Sequence, residues 1–148
     1  MIFWRGRNGK QEMIDYGKFE KALQHLQAQY QNYRTLDPSF PRLIQEAVAE
    51  SVIQRFETSY DSLWKVLKRH LIEVLGLPDV PNSPKPVFRL AYENQLLPGR
   101  IEDWLEYANL RVATAHDYSG EKAQKALARM DDFIRDATAL RERLTQGV

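Results

Sequence analysis

Residues 41–75 read "PRLIQEAVAESVIQRFETSYDSLWKVLKRHLIEVL", with no glycine and only the leading proline. Val52, Phe56, Tyr60, Leu63, Leu67, Leu71 and Val74 recur along it every three or four residues. That is the period of one apolar stripe on an α-helix. At 1.5 Å per residue such a helix is about 50 Å long. A chain of 148 residues has one economical way to cover so long a stripe, which is to lay other helices along it.

The rest of the chain supplies those helices. Phe19, Leu23, Leu26, Tyr30 and Tyr33 mark a first helix over about 15–34, and "TLDPSFP" ends it, with Ser39 as a candidate cap for the next. Gly76 suits the C-terminal cap of the long second helix. The proline-rich "LPDVPNSPKP" follows, and Ser83–Pro84 read as an N-cap and first residue of a short third helix over 84–96. A fourth helix spans about 100–116, with Ile101, Leu105, Ala108, Val112 and Ala115 as its expected core stripe. After "DYSG", with Ser119 as candidate cap, Ala123, Leu127, Met130, Ile134, Ala137, Leu140 and Leu144 predict a fifth. No segment reads as a strand and no repeat is evident. The expected fold is all-α: an antiparallel up-and-down bundle of four main helices plus a short fifth, over residues 13–148. Residues 1–12 fit no helical pattern and read as an N-terminal extension, with two readings open: Met13 is an alternative start, or the extension is a disordered arm.

Composition narrows the function. There is no cysteine, which excludes a disulfide framework, a thiolate zinc site and a cysteine nucleophile, and fits a reducing cytoplasm. No apolar run reaches the roughly 18 residues of a membrane span. Arginines in "MIFWRGRNGK" stand where a secretion signal needs its apolar stretch. The net charge of +1 is too small for a protein that coats nucleic acid, so contact with RNA would be local. Two basic clusters, Lys65, Lys68, Arg69 and His70, and Lys122, Lys125 and Arg129, read as solvated helix faces. His25 is expected at the surface, and Trp64 and Trp104 in packing. Arg55 and Glu57 of "QRFE" either join an ion pair across helices or border a cleft.

The stretch with chemistry in it is "RVATAHDY", residues 111–118. At 100° per residue, Arg111 falls about 80° to one side of the expected stripe and His116 about 60° to the other. Tyr118 projects on the arginine's side and Asn109 on the histidine's. Histidine can exchange a proton with a ribose 2′-hydroxyl or a leaving oxygen near neutral pH. Arginine can hold the non-bridging oxygens of a phosphate. That route needs no metal or cofactor. The HxxxH and HExxH spacings are absent, and the three histidines fall on different helices.

These residues, in order, resemble a known family. "RVATAHDY" matches R-x4-H-x-Y, the signature of HEPN proteins that pair with minimal nucleotidyltransferases. "VIQRFETSYDSLWKVLKRHL", "SPKPVFRLAYENQLLP" and "DWLEYANLR" resemble, in order and spacing, the nucleotidyltransferase substrate-binding branch of that superfamily. The resemblance covers about residues 14–144. It implies a homodimer with both Arg/His sets at the interface, and a metal-independent ribonuclease that is the toxin of a two-gene toxin–antitoxin pair. The partner nucleotidyltransferase, the antitoxin, would silence it by attaching AMP to the tyrosine. Carried over, Arg111 stabilises phosphate, His116 is general acid or base, and Tyr118 accepts AMP, with Asn109 as a possible support. One position departs: the residue after the arginine is polar in much of the family, and here it is Val112. That departure favours the alternative, a non-catalytic adaptor that presents substrate to a nucleotidyltransferase.

Overall fold

The computed structural model describes residues 2–5 and 11–146. Six helices follow a short hairpin: β1 (Ile2–Arg5), β2 (Gln11–Ile14), α1 (Gly17–Thr35), α2 (Arg42–Glu73), α3 (Pro84–Glu93), α4 (Ile101–Thr114), α5 (Glu121–Ala128) and α6 (Met130–Gln146). The architecture is the expected helical bundle. α1 lies along α2, which also touches α3, α4, α5 and α6 and so serves as the central stave. The α2 stripe is buried from Val52 to Leu71, and Val74 packs at its edge. Gly76, at φ +65°, ends this helix region, and the Leu77 N–H returns to the Leu71 carbonyl at 3.1 Å. A glycine tolerates that left-handed turn without the Cβ penalty. Ser83 takes the N-cap position of α3 with Pro84 first in the helix, although its hydroxyl makes no capping bond.

The core of the bundle is a closed circuit of six aromatic rings. Phe56 and Tyr60 come from α2, Phe88 from α3, Trp104 and Tyr107 from α4, and Phe133 from α6. Successive centroids lie between 4.9 and 6.0 Å apart, and the last ring, Phe133, closes on Phe56. Four of the six contacts are edge-on, the geometry that ring quadrupoles favour. Trp104 also donates its indole N–H to the Pro98 carbonyl at 2.8 Å, so its one polar atom is satisfied inside.

Four parts of the chain depart from expectation. The N-terminal segment holds paired strands, with Ile2 opposite Ile14 and Arg5 opposite Gln11, where no strand was read and an irregular extension was expected. The single fifth helix is two, α5 and α6, broken at Arg129 (φ −105°, ψ 3°). Arg129 is not a solvated cation: Asp103 and Glu106 of α4 and Asp132 of α6 surround its guanidinium, which also lies over the Tyr107 ring. Third, α4 is turned from the expected stripe. Trp104, Tyr107, Ala108, Leu110 and Thr114 are buried, Ile101 and Leu105 are half-buried, and Val112 is 66% exposed. At 100° per residue the buried face lies roughly 105° round, centred close to Tyr107, with Arg111 within about 30° of that centre. The aromatic circuit is the cause, because only this rotation places Trp104 and Tyr107 together inside.

The fourth is His70. It is buried, not solvated, and its Nδ1 shares a hydrogen bond of 2.9 Å with the Tyr16 hydroxyl. Burial lowers the pKa of this imidazole from 6.5 and pushes the Tyr16 phenol up to about 12. A histidine held neutral in the fold binds its proton more readily in the unfolded chain. Its contribution is therefore intact above pH 6.5 and declines as pH falls through the lowered folded value. Thermal melts between pH 7.5 and 5 should show a drop in Tm that is visibly shallower in His70→Gln, which keeps a polar partner for Tyr16 without the titration.

Candidate functional site

The rotation of α4 decides where Arg111 goes. Seven residues after Trp104 and four after Tyr107, it shares their face and points at α2. Glu57 and Asp61, one turn apart on α2, meet it there. Arg111 donates Nε to Asp61 Oδ1 at 3.2 Å and an Nη to Asp61 Oδ2 at 3.1 Å, a two-pronged fork. Its other Nη donates to Glu57 Oε2 at 3.0 Å. These carboxylates raise the arginine's pKa, the Asp61 hydrogen bond foremost.

Glu57 is the hub. It follows Phe56 in sequence and is only 8% exposed. Its Oε2 accepts from Arg111 and from the Thr114 hydroxyl at 3.1 Å, and its Oε1 accepts from the Tyr118 hydroxyl at 3.0 Å. A buried carboxylate with three donors is satisfied, where a bare one would be costly. The hydrogen bond to Glu57, with its charge, holds the Tyr118 pKa above the ordinary phenol value. Tyr118 stays 40% exposed, so its hydroxyl is anchored on an accessible ring.

His116 is not part of this cluster. α4 ends at Thr114, and His116 stands exposed in the turn that follows, its backbone N–H on the Ala113 carbonyl at 3.3 Å. The turn is fixed by Asp117, whose carboxylate accepts from the backbone N–H of Ser119 at 3.1 Å and of Gly120 at 2.9 Å. Gly120, rather than Ser119, is the N-cap residue of α5. Asn109 is exposed and makes no side-chain hydrogen bond among the described residues. The structure thus joins Arg111 and Tyr118 through Glu57 and leaves His116 and Asn109 outside that contact. Sequence reading pointed to Glu57 only as an ion-pair or cleft residue and passed over Asp61 and Thr114. Their signal was the i, i+4 carboxylate pair beside the stripe on α2. Arg55, the other charged residue of "QRFE", instead reaches the exposed His25 at 3.2 Å. Among the described residues no cluster of three or more His, Cys, Asp or Glu is arranged to hold a metal ion. No described helix is long and apolar enough to cross a membrane.

The helical fold and the relatives it matches make this a protein of the HEPN type. Within that class the chain belongs to the family described as nucleotidyltransferase substrate binding protein like, whose model matches residues 14–146. It is 32% identical over 108 residues to the probable ribonuclease HepT of Haemophilus influenzae, covering 72% of this chain and 73% of the relative. Among solved structures, it is similar to a Haemophilus influenzae protein whose structure is described as revealing the fold of a substrate binding domain of a nucleotidyltransferase. The TM-score is 0.79 at 26% identity, over 88% of this chain and 99% of the other. A protein from Thermus thermophilus matches with a TM-score of 0.71 at 31% identity, over 85% and 98%.

Replacing Glu57 by glutamine removes the charge that Arg111 and Tyr118 share. Breaking a largely buried pair on one side should cost about 1–3 kcal/mol in urea unfolding, reduced from the fully buried case because Arg111 is partly solvated. The Tyr118 phenol should also titrate at lower pH in Glu57→Gln, followed by NMR of labelled tyrosine. An unchanged titration would mean that the Tyr118–Glu57 bond does not form in solution.

Proposed function

We propose that this chain is the ribonuclease toxin of a two-gene toxin–antitoxin pair and acts in the cytoplasm beside a minimal nucleotidyltransferase antitoxin. The observation that carries this reading is the meeting of Arg111 and Tyr118 on one buried carboxylate, next to the turn that presents His116. The name of the Haemophilus relative, a probable ribonuclease, supports it.

The chemistry requires no metal. His116 takes the proton of a ribose 2′-hydroxyl, the 2′-oxygen attacks the adjacent phosphorus, and the bond to the 5′-oxygen breaks. A second histidine, from the other copy of a two-fold dimer, protonates that leaving oxygen. The products are a 2′,3′-cyclic phosphate and a 5′-hydroxyl. Arg111 has five N–H donors and places three on Asp61 and Glu57, so two remain for the non-bridging oxygens as charge builds there.

Tyr118 is the silencing point. Transfer of AMP from ATP to its hydroxyl oxygen, with pyrophosphate leaving, replaces the phenolic proton now donated to Glu57, breaks that hydrogen bond, and sets a phosphodiester anion beside Arg111. The arginine then pairs with the attached phosphate instead of with RNA.

A second reading has its own observation. Arg111 is held by two carboxylates, so the local charge of Arg111, Glu57 and Asp61 sums to −1, and that disfavours an RNA phosphate. It suits a non-catalytic adaptor that binds the nucleotidyltransferase and presents its substrate.

Purified protein incubated with tRNA or mRNA decides between the two. The ribonuclease should cut, leaving cyclic phosphate ends, and His116→Ala and Arg111→Ala should each lower cleavage by at least about a hundredfold. Co-expression with the adjacent nucleotidyltransferase and ATP should add AMP mass units that disappear in Tyr118→Phe. A protein that cuts nothing and gains no mass, yet co-purifies with the transferase, is the adaptor.

A further inference from the structure

A groove runs between the start of α3 and the C-terminal half of α4, with a volume of about 460 Å³, within the range of small-molecule sites. Its walls are Pro84 and Pro86 on one side and Ala108 and Val112 on the other. This is the contact that gives the exposed Val112 a role. Lys85, Arg89 and Arg111 also line it, and no carboxylate does. Lys85 and Arg89 form no ion pair among the described residues.

Two hydroxyls there are uncommitted. Ser83 lines the groove at the N-cap of α3 and makes no capping bond. Tyr60, 2% exposed, lines it from α2, and its hydroxyl has no hydrogen-bond partner among the described residues. A buried hydroxyl without a partner is uncommon and calls for an occupant or a reason. The positive end of the α3 dipole opens at the same place.

Apolar walls, a line of cations and free hydroxyls match one ligand class: a flat heterocycle attached to phosphate. We propose that the groove binds one nucleotide of an RNA strand, with its base between Val112 and the α3 prolines and its backbone phosphate on Lys85 and Arg89. Because Arg111 borders both this groove and the Glu57 cluster, the nucleotide held here is the one next to the phosphate that Arg111 faces; this last step rests on the ribonuclease reading. A second copy of the chain fits less well, since it would bury Lys85 and Arg89 with no groove carboxylate to neutralise them.

The test is direct binding of a strand that cannot be cut. A fluorescein-labelled 2′-O-methyl octauridylate is titrated with the full chain and followed by anisotropy. Lys85→Gln/Arg89→Gln and Val112→Glu should each weaken binding by about tenfold or more, with melting curves like wild type because these side chains are partly or largely exposed. Free AMP should displace the strand only far above the strand's own Kd, and inorganic phosphate not at all. The proposal falls if wild type fails to bind, if either variant binds as wild type does, or if AMP competes as well as the strand, which would make a free nucleotide the occupant. It falls equally if Val112→Glu changes the sedimentation coefficient but not strand affinity, which would make the groove a contact between copies. Groove-dependent binding without any cleavage of ordinary RNA would sink the ribonuclease reading and leave the groove. Cleavage that ignores the groove variants would do the reverse.

Discussion

The circuit of six aromatic rings is the constraint on which the rest of this molecule depends. It draws Phe56 and Tyr60, Phe88, Trp104 and Tyr107, and Phe133 from four helices into one set of contacts. Each well-oriented pair contributes about 0.5–1.5 kcal/mol beyond simple burial. More important here, rings of fixed shape tolerate few rotations of the helices that carry them. Turning α4 by roughly 105° to bury Val112 would bring Trp104 and Tyr107 toward water, at about 1.5–3 kcal/mol for each large side chain exposed. One buried valine cannot offset two lost aromatic rings. Arg111 faces α2 and Val112 faces out because α4 is locked by its first half.

The same circuit sets the polar cluster. Glu57 and Asp61 each follow a ring residue of α2, Phe56 and Tyr60, so they emerge at the edge of the core where α4 crosses. Arg111 arrives opposite them for the same reason on its own helix. The Glu57 carboxylate, 8% exposed, would be costly alone at that depth. Together with Thr114 and Tyr118, the carboxylates and the guanidinium satisfy one another. A tyrosine that lies after the end of α4 is thereby tied to a carboxylate in the middle of α2. A chemical change at that phenol would thus be felt at the arginine through Glu57, without any movement of the bundle.

How much of this could be read in the sequence varied with what set each element. α2 was legible from Val52 to Leu71 because its apolar residues keep one period and nothing competes with them. α4 was not, because it offers two overlapping faces. Ile101, Leu105, Val112 and Ala115 make a tidy aliphatic stripe, whereas Trp104, Tyr107, Ala108, Arg111 and Thr114 make a mixed one. The mixed face wins on ring contacts with α3 and α6, partners far away in the chain. The break at Arg129 escaped for a similar reason, since the acids around it include Asp103 and Glu106 of α4. His70 sits among lysines in "KVLKRH" and looked solvated, but Tyr16, distant in sequence, takes it into the core. At the candidate site the motif residues Arg111, His116 and Tyr118 stood out by type and spacing. Glu57, which links two of them, was legible as an ion-pair or cleft residue, but its partners Arg111, Thr114 and Tyr118 lie more than fifty residues away in the chain and left no local mark.

His116 shows what one copy of the chain leaves open. On one side of it, Thr114 is fixed to Glu57; on the other, Asp117 ties down the turn and Tyr118 returns to Glu57. The backbone is held on both sides, while the imidazole stands in solvent with no side-chain partner among the described residues. Had α4 continued, the helical period would place His116 about 165° from the centre of its buried face. A histidine on so firmly held a segment keeps its position but needs something from outside to act on. Under the ribonuclease reading that something is RNA together with a second copy, which brings one imidazole to each side of the phosphate. Under the adaptor reading it is the nucleotidyltransferase surface. In both cases the anchoring of the turn, more than any contact of His116 itself, makes the position suitable for recognition from outside the chain.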